Sequence, residues 1–232
     1  GLNGATSTSE KLTMHGLETL LTCAHAVRIQ FAHMGDDGLP VFAKGDHEKA
    51  YRQWPVHEED YPLVVTLVWV DSVGDSGGFE AYAHRALPFG ARSAVIIYTT
   101  ISQGVCWILR RVFAIPQLAY VDDFLRVGPR KWALQQERVF QRLHALIGIP
   151  LKDGKDNLAQ RIQALGHEIA ATALWAGMRM TEKRRSDCAS RVRKALKDGF
   201  VAKEIPETAG HLNFALMATV GKAAKTYSHT VH

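Results

Sequence analysis

The chain has 232 residues, 47% hydrophobic and 22% charged, with 8 Pro and 19 Gly. At roughly 100 to 200 residues per domain this predicts one large or two small globular domains, and it excludes disordered, collagen-like and repeat architectures. Charge is unevenly divided, since residues 1–128 carry 10 Lys+Arg against 14 Asp+Glu, a net of −4, and residues 129–232 carry 18 against 9, a net of +9.

Leu17, Leu20, Leu21, Ala24, Val27 and Phe31 recur at helical spacing and predict a helix within 9–34, with Ser9 as a cap and Ile29 off the stripe. A turn rich in Gly and Asp at 35–38 leads into a strand that starts at Leu39 and reaches Gly45 and Asp46. Pro55 interrupts the stretch 50–56, and the β-branched run from Leu63 to Val70 predicts a buried strand, paired across a loop at 71–78 with a return strand over 79–86. A long, mostly buried helix is expected over 93–113. Apolar runs at 118–121 and 124–127 are separated only by Asp122-Asp123, which predicts a tight hairpin with two carboxylates at its tip. An amphipathic helix follows over 131–146, with Leu134, Val139, Leu143 and Leu146 inward and Gly148 and Pro150 as its stop. Short strands are expected at 165–169 and 173–179, then basic helices at 181–197 and 206–220, with a boundary near residue 170.

An acidic half concentrates divalent cations and a basic half runs along a phosphate backbone, so the charge division points towards nucleic acid, with a solvated basic surface as the plain alternative. Cys23, Cys106 and Cys188 fit neither a disulfide framework nor a CxxC metal knuckle. Together with the lack of an export signal this predicts an intracellular protein, cytoplasmic or nuclear. The longest uncharged stretch, Ser93 to Leu109, falls short of a bilayer span. Because the chain opens on Gly1, it is expected to be a piece of a longer polypeptide.

Adjacent acids between apolar strands repel each other, and a bound divalent cation resolves that conflict, although turn chemistry alone also favours Asp. Mg²⁺ takes hard oxygen ligands from one or two carboxylates and substrate phosphates, and Asp46 at the end of another strand is the candidate third acid. Tyr51, beside Trp54, reads equally as a core residue or as a ring lining a site. Cys23, His25 and His33 share one helix and lack a fourth partner at a recognised spacing, so zinc is not expected; neither a GxGxxG nor a P-loop sequence occurs.

Read together, the segments resemble the reverse transcriptase family. Lys44-Gly45-Asp46-His47-Glu48-Lys49-Ala50-Tyr51 is similar to its motif A, Leu87-Pro88-Phe89-Gly90 to motif B and Tyr120-Val121-Asp122-Asp123 to its YxDD motif C. Residues 146–155 resemble motif D, and Leu165-Gly166-His167 resembles motif E, the primer grip. The five occur in family order, in the LPFG and LGH form of gypsy-like and DIRS-like retrotransposons, and Ala209-Gly210-His211-Leu212-Asn213-Phe214 is similar to the thumb of the DIRS-like group.

The resemblance implies an α+β fold with partial fingers over 1–40, a palm over 41–170 and a basic helical thumb over 171–232, without a following RNase H domain. It implies that Asp46, Asp122 and Asp123 bind two Mg²⁺ ions, or Mn²⁺ in their place, and catalyse nucleotidyl transfer. Tyr51 takes the place of the gate that rejects a 2′-hydroxyl, Phe89, Gly90 and Arg92 shape the nucleotide pocket, and Lys155, better aligned than Lys152, meets the leaving pyrophosphate. Tyr120, Gly166, His167, Lys183, Arg184, Arg185, Arg191 and Lys194 are the implied nucleic-acid contacts. The implied partners are an RNA or DNA template with its primer, dNTPs, and the fingers and RNase H segments of the same polyprotein. The alternatives are a non-catalytic nucleic-acid-binding or structural palm and an RNA-dependent RNA polymerase, against which Tyr51 and the YxDD form argue.

Overall fold

A computed structural model describes Met14 and residues 16–71, 77–152, 158–199 and 206–212, and shows an α+β fold. Helix α1 spans Leu17–Gln30, strand β1 Pro40–Asp46, β2 Val65–Val70 and β3 Gly78–Ala83. Next come α2 (Arg92–Phe113), β4 (Gln117–Tyr120), β5 (Asp123–Pro129) and α3 (Arg130–Leu146). Strands β6 (Arg161–Ala164), β7 (His167–Ala171) and β8 (Ala176–Met180) precede α4 (Glu182–Asp198).

The chain divides into two compact units, one holding the described residues within 1–20, 44–126 and 134–156, the other those within 21–43, 127–133 and 157–232. In the sheet of order β1-β5-β4 the first unit holds β4, the end of β1 from Lys44 and the start of β5 as far as Arg126; β4 and β5 are antiparallel, with Tyr120 opposite Asp123. As the middle strand, β5 is buried from Phe124 onward, so its apolar residues run without the alternation of a half-exposed strand. Val105, Cys106 and Leu109 of α2, Phe124, and Phe140 and Leu143 of α3 form the core over this sheet. In the second unit β7 pairs antiparallel with β6 and with β8, and Leu165-Gly166, both at positive φ, make the two-residue β6–β7 turn.

Three expectations change. The β2–β3 hairpin forms in register from Val65 opposite Ala83 to Val70 opposite Gly78, but it is not buried: Leu67 is 63% and Trp69 52% exposed. No described residues cover either face, so its β-branched content serves strand formation rather than burial. On α3, Leu134 and Leu146 lie outside, whereas Glu137, Phe140, Leu143 and His144 face in. Two inward polar residues, each with a buried partner, shift the stripe away from the one that apolar spacing alone selects. Strand β6 was not expected, because a four-residue run with Arg161 and Gln163 facing outward carries little periodic signal. Ser9, and residues 213–220 of the last expected helix, lie outside the described residues.

Candidate active site

Strand order brings the acids together. Asp46 ends β1, Asp123 begins β5, and Val121-Asp122 form the two-residue turn between β4 and β5. The hairpin tip therefore carries one of the two acids, and the other belongs to the strand. Val121 has φ +55°, a region that a β-branched side chain adopts only under strain, and its turn sets the start of Asp122. Burial raises the Asp122 pKa above the usual carboxylate range, and the charges of Asp123 and Asp46 raise it further. Its own backbone N–H and Lys44 oppose that rise.

Two lysines offset this negative charge. Lys44 Nζ lies 2.6 Å from Asp123 Oδ1, and Lys152 Nζ lies 4.0 Å from Asp46 Oδ2 while its backbone N–H donates to the Asp46 carbonyl. Lys155 lies outside the described residues; of the two lysines weighed for the motif D-like loop, Lys152 is the one described, and it lies beside an acid. Among the described residues no group of three or more His, Cys, Asp or Glu side chains is gathered closely enough to hold a metal ion unaided. The donors nevertheless suit Mg²⁺: they are hard oxygens, and the half-buried Asp122 carboxylate is disfavoured beside two like charges.

Next to the acids, Ala50–Gln53 form a 3₁₀ turn that buries Tyr51. The Tyr51 ring packs edge-on to Phe89 at 5.0 Å between centroids and tilted against Tyr98 of α2 at 4.8 Å. Phe89 is 63% exposed, Gly90 turns at φ +88°, and Arg92 opens α2 on the surface. Behind Tyr51 lies a chain of buried polar groups. The His144 Nδ1–H donates to the Phe140 carbonyl (2.8 Å), which leaves its Nε2 to accept from His47 Nε2–H (3.0 Å) and His47 Nδ1 to accept from the Tyr98 hydroxyl (2.6 Å). All four groups are satisfied with both imidazoles neutral.

Gly45 has a physical reason to be glycine. A Cβ there would stand 2.7 Å from the Phe140 ring, so glycine lets α3 pack directly on the β1 backbone beside Asp46. Beneath, Arg126 donates to Glu137 and to Gln117 and lies 3.8 Å from the Phe140 ring centre.

In the second unit, Gly166 lies where a Cβ would collide with Arg184, at 2.4 Å, so the β6–β7 turn and the start of α4 meet at these two residues. His167 is buried, its Nδ1–H donating to the Leu165 carbonyl across the turn. Lys183, Arg184, Arg185, Arg191 and Lys194 are exposed on α4, with Arg185 paired to Glu182 and Arg191 to Glu207. Tyr120 is 40% exposed.

Sequence reasoning missed Lys44 and the set His47, Tyr98 and His144. Lys44 stands two residues before Asp46, on the same face of a strand, and that period was the available signal. The others are 51 and 97 positions apart with no pattern linking them.

No helix among the described residues is long and apolar enough to cross a membrane. No family model matches the chain, and no curated protein does. Among solved structures the chain is similar to the foamy viral protease-reverse transcriptase dRH in complex with double-stranded DNA, with a TM-score of 0.52 and 16% identity over 76% of this chain. It spans 27% of the length of that chain. The likeness is one of fold: the helices and antiparallel strands have a reverse-transcriptase-like, polymerase-type arrangement.

Proposed function

We propose that this chain is the palm and thumb portion of an RNA-directed DNA polymerase from a gypsy-like or DIRS-like retroelement polyprotein, with partial fingers over 1–40, palm over 41–170 and thumb over 171–232. The observation that carries the reading is that Asp46, Asp122 and Asp123 stand at the adjoining ends of β1, β4 and β5, within electrostatic reach of one another, with Tyr51 close to Asp122.

Asp46 and Asp122, with Asp123, would hold two Mg²⁺ ions. Bound there, the ions supply charge neutralisation at the phosphates and activation of the primer 3′-hydroxyl. The chain's own part is positioning: the strained Val121 turn fixes Asp122, and Tyr51 closes the space beneath the sugar. Phe89, Gly90 and Arg92 border the nucleotide, and a lysine of the motif D loop faces the leaving pyrophosphate. In the second unit, the β6–β7 turn at Gly166 and the basic face of α4 contact phosphates without reading sequence.

The test is Mg²⁺-dependent primer extension on an RNA template, comparing dNTPs with rNTPs and using Asp122→Ala as control. Extension with dNTPs that the control abolishes is the expected result. Salt-sensitive duplex binding without extension would favour a non-catalytic palm, a reading to which the Lys44–Asp123 ion pair lends some weight because it already neutralises one acid.

A further inference from the structure

Tyr51 does not stand alone beneath the nucleotide pocket. Its ring rests on Tyr98, which is fully buried, and Tyr98 is pinned at its far end by a hydrogen bond from its hydroxyl to His47. His47 is pinned in turn by His144, and His144 by the Phe140 carbonyl. The series runs from α3, through the residue after Asp46, to α2 and then to the 3₁₀ turn, and each member is less than 9% exposed.

A ring can reject a 2′-hydroxyl only if it cannot retreat. An aromatic ring stacked on another ring that is free to shift yields when the substrate pushes, whereas one stacked on an anchored ring does not. The three hydrogen bonds behind Tyr98 remove that freedom at no cost in unsatisfied polar groups, because the tautomers alternate donor and acceptor along the whole series. Because Tyr98 is fully buried behind Tyr51, it works through Tyr51.

We propose that Tyr98, held by the His47–His144 pair, is the positioning residue that sets the strength of sugar discrimination at Tyr51. The inference rests on the reading of Tyr51 as the sugar gate.

The experiment measures kcat/KM for a dNTP against the matching rNTP in the full chain and in Tyr51→Ala, Tyr98→Phe and Tyr98→Leu. The ratio of the two is independent of the fraction of molecules folded, so a general loss of stability does not move it. Tyr98→Phe keeps the ring and cuts the anchor, and lowers the ratio by about threefold, the worth of one modest hydrogen bond. Tyr98→Leu also removes the ring and lowers it by about tenfold, the scale of a small change in pocket shape. If Tyr51→Ala relaxes discrimination while Tyr98→Phe keeps the parent ratio, the inference is overturned and the gate reading stands. If the parent chain extends no primer, or Tyr51→Ala changes nothing, the gate reading itself fails and the inference falls with it.

Discussion

Asp122 pits fold against site. Its carboxyl pKa is raised by burial first and by Asp123 and Asp46 after that, so the fold prefers the protonated acid while metal binding needs the ionised one. A carboxylic acid whose pKa rises on folding adds stability below its unfolded value and gives it up as pH rises through the folded one. At neutral pH Asp122 is therefore a net cost to the metal-free protein. Asp122→Asn removes the charge at nearly constant shape, and is expected to raise the melting temperature at pH 7 while abolishing extension. At pH 3, where the wild-type acid is already protonated, the two proteins should melt alike; equal melting at pH 7 would show that the three acids do not crowd one another. The same logic explains what the sequence could say here. Adjacent acids between apolar strands were legible as a conflict needing a cation, but the partial internal answer, Lys44 at 2.6 Å from Asp123, depends on pairing across the sheet.

At the scale of elements, α3 fixes the end of β1 in two ways, and each makes a prediction. Phe140 lies against Gly45, so Gly45→Ala must displace either a fully packed ring or the strand that carries Asp46. Overpacking of this kind costs about 1–3 kcal/mol, readable as a lower urea midpoint with an unchanged m-value. The second way is the His144–His47 hydrogen bond. Burial lowers the pKa of His47 to about 3 and of His144 to about 4, from an ordinary 6.5. Each imidazole also suffers a nearby group, His144 for His47 and Arg126 for His144, while the Phe140 carbonyl works the other way on His144. A histidine whose pKa falls on folding contributes stability that is complete above pH 6.5 and drains away as pH drops towards the folded value. In urea titrations the unfolding free energy is therefore expected to fall as pH is lowered from 6.5 to 4. His144→Gln, which takes up no proton, should flatten part of that fall. These contacts explain why the α3 stripe was misread from sequence: Glu137 and His144 face inward because Arg126 and His47 meet them there, and apolar periodicity has no means of registering a buried polar pair.

For the molecule as a whole, the charge division and the fold were the most legible features, and for related reasons. Net charge adds over many residues regardless of contacts, the helices near the site are long enough to be recognised, and the β4–β5 hairpin shows as two apolar runs broken only by Asp122-Asp123. The exposed β2–β3 hairpin was not legible, since burial depends on what covers a strand and not on its β-branched content. The charge division also sets the final prediction. If the basic half tracks a duplex backbone, binding should weaken linearly in log Kd against log salt, with a slope set by the number of phosphates contacted. The basic residues of α4 differ in how free they are to contribute. Arg185 already donates to Glu182, which lowers that acid's pKa, and Arg191 pairs with Glu207. Moving either to a phosphate means giving up an acid partner, although surface pairs of this kind are weak. Lys183→Ala is therefore expected to lower the salt slope by about 1, and Arg185→Ala by less. Because phosphate contacts carry no sequence information, both losses should be the same for duplexes of different sequence. A slope that neither change moves would take α4 out of the nucleic-acid interface and leave its basic face to solvent.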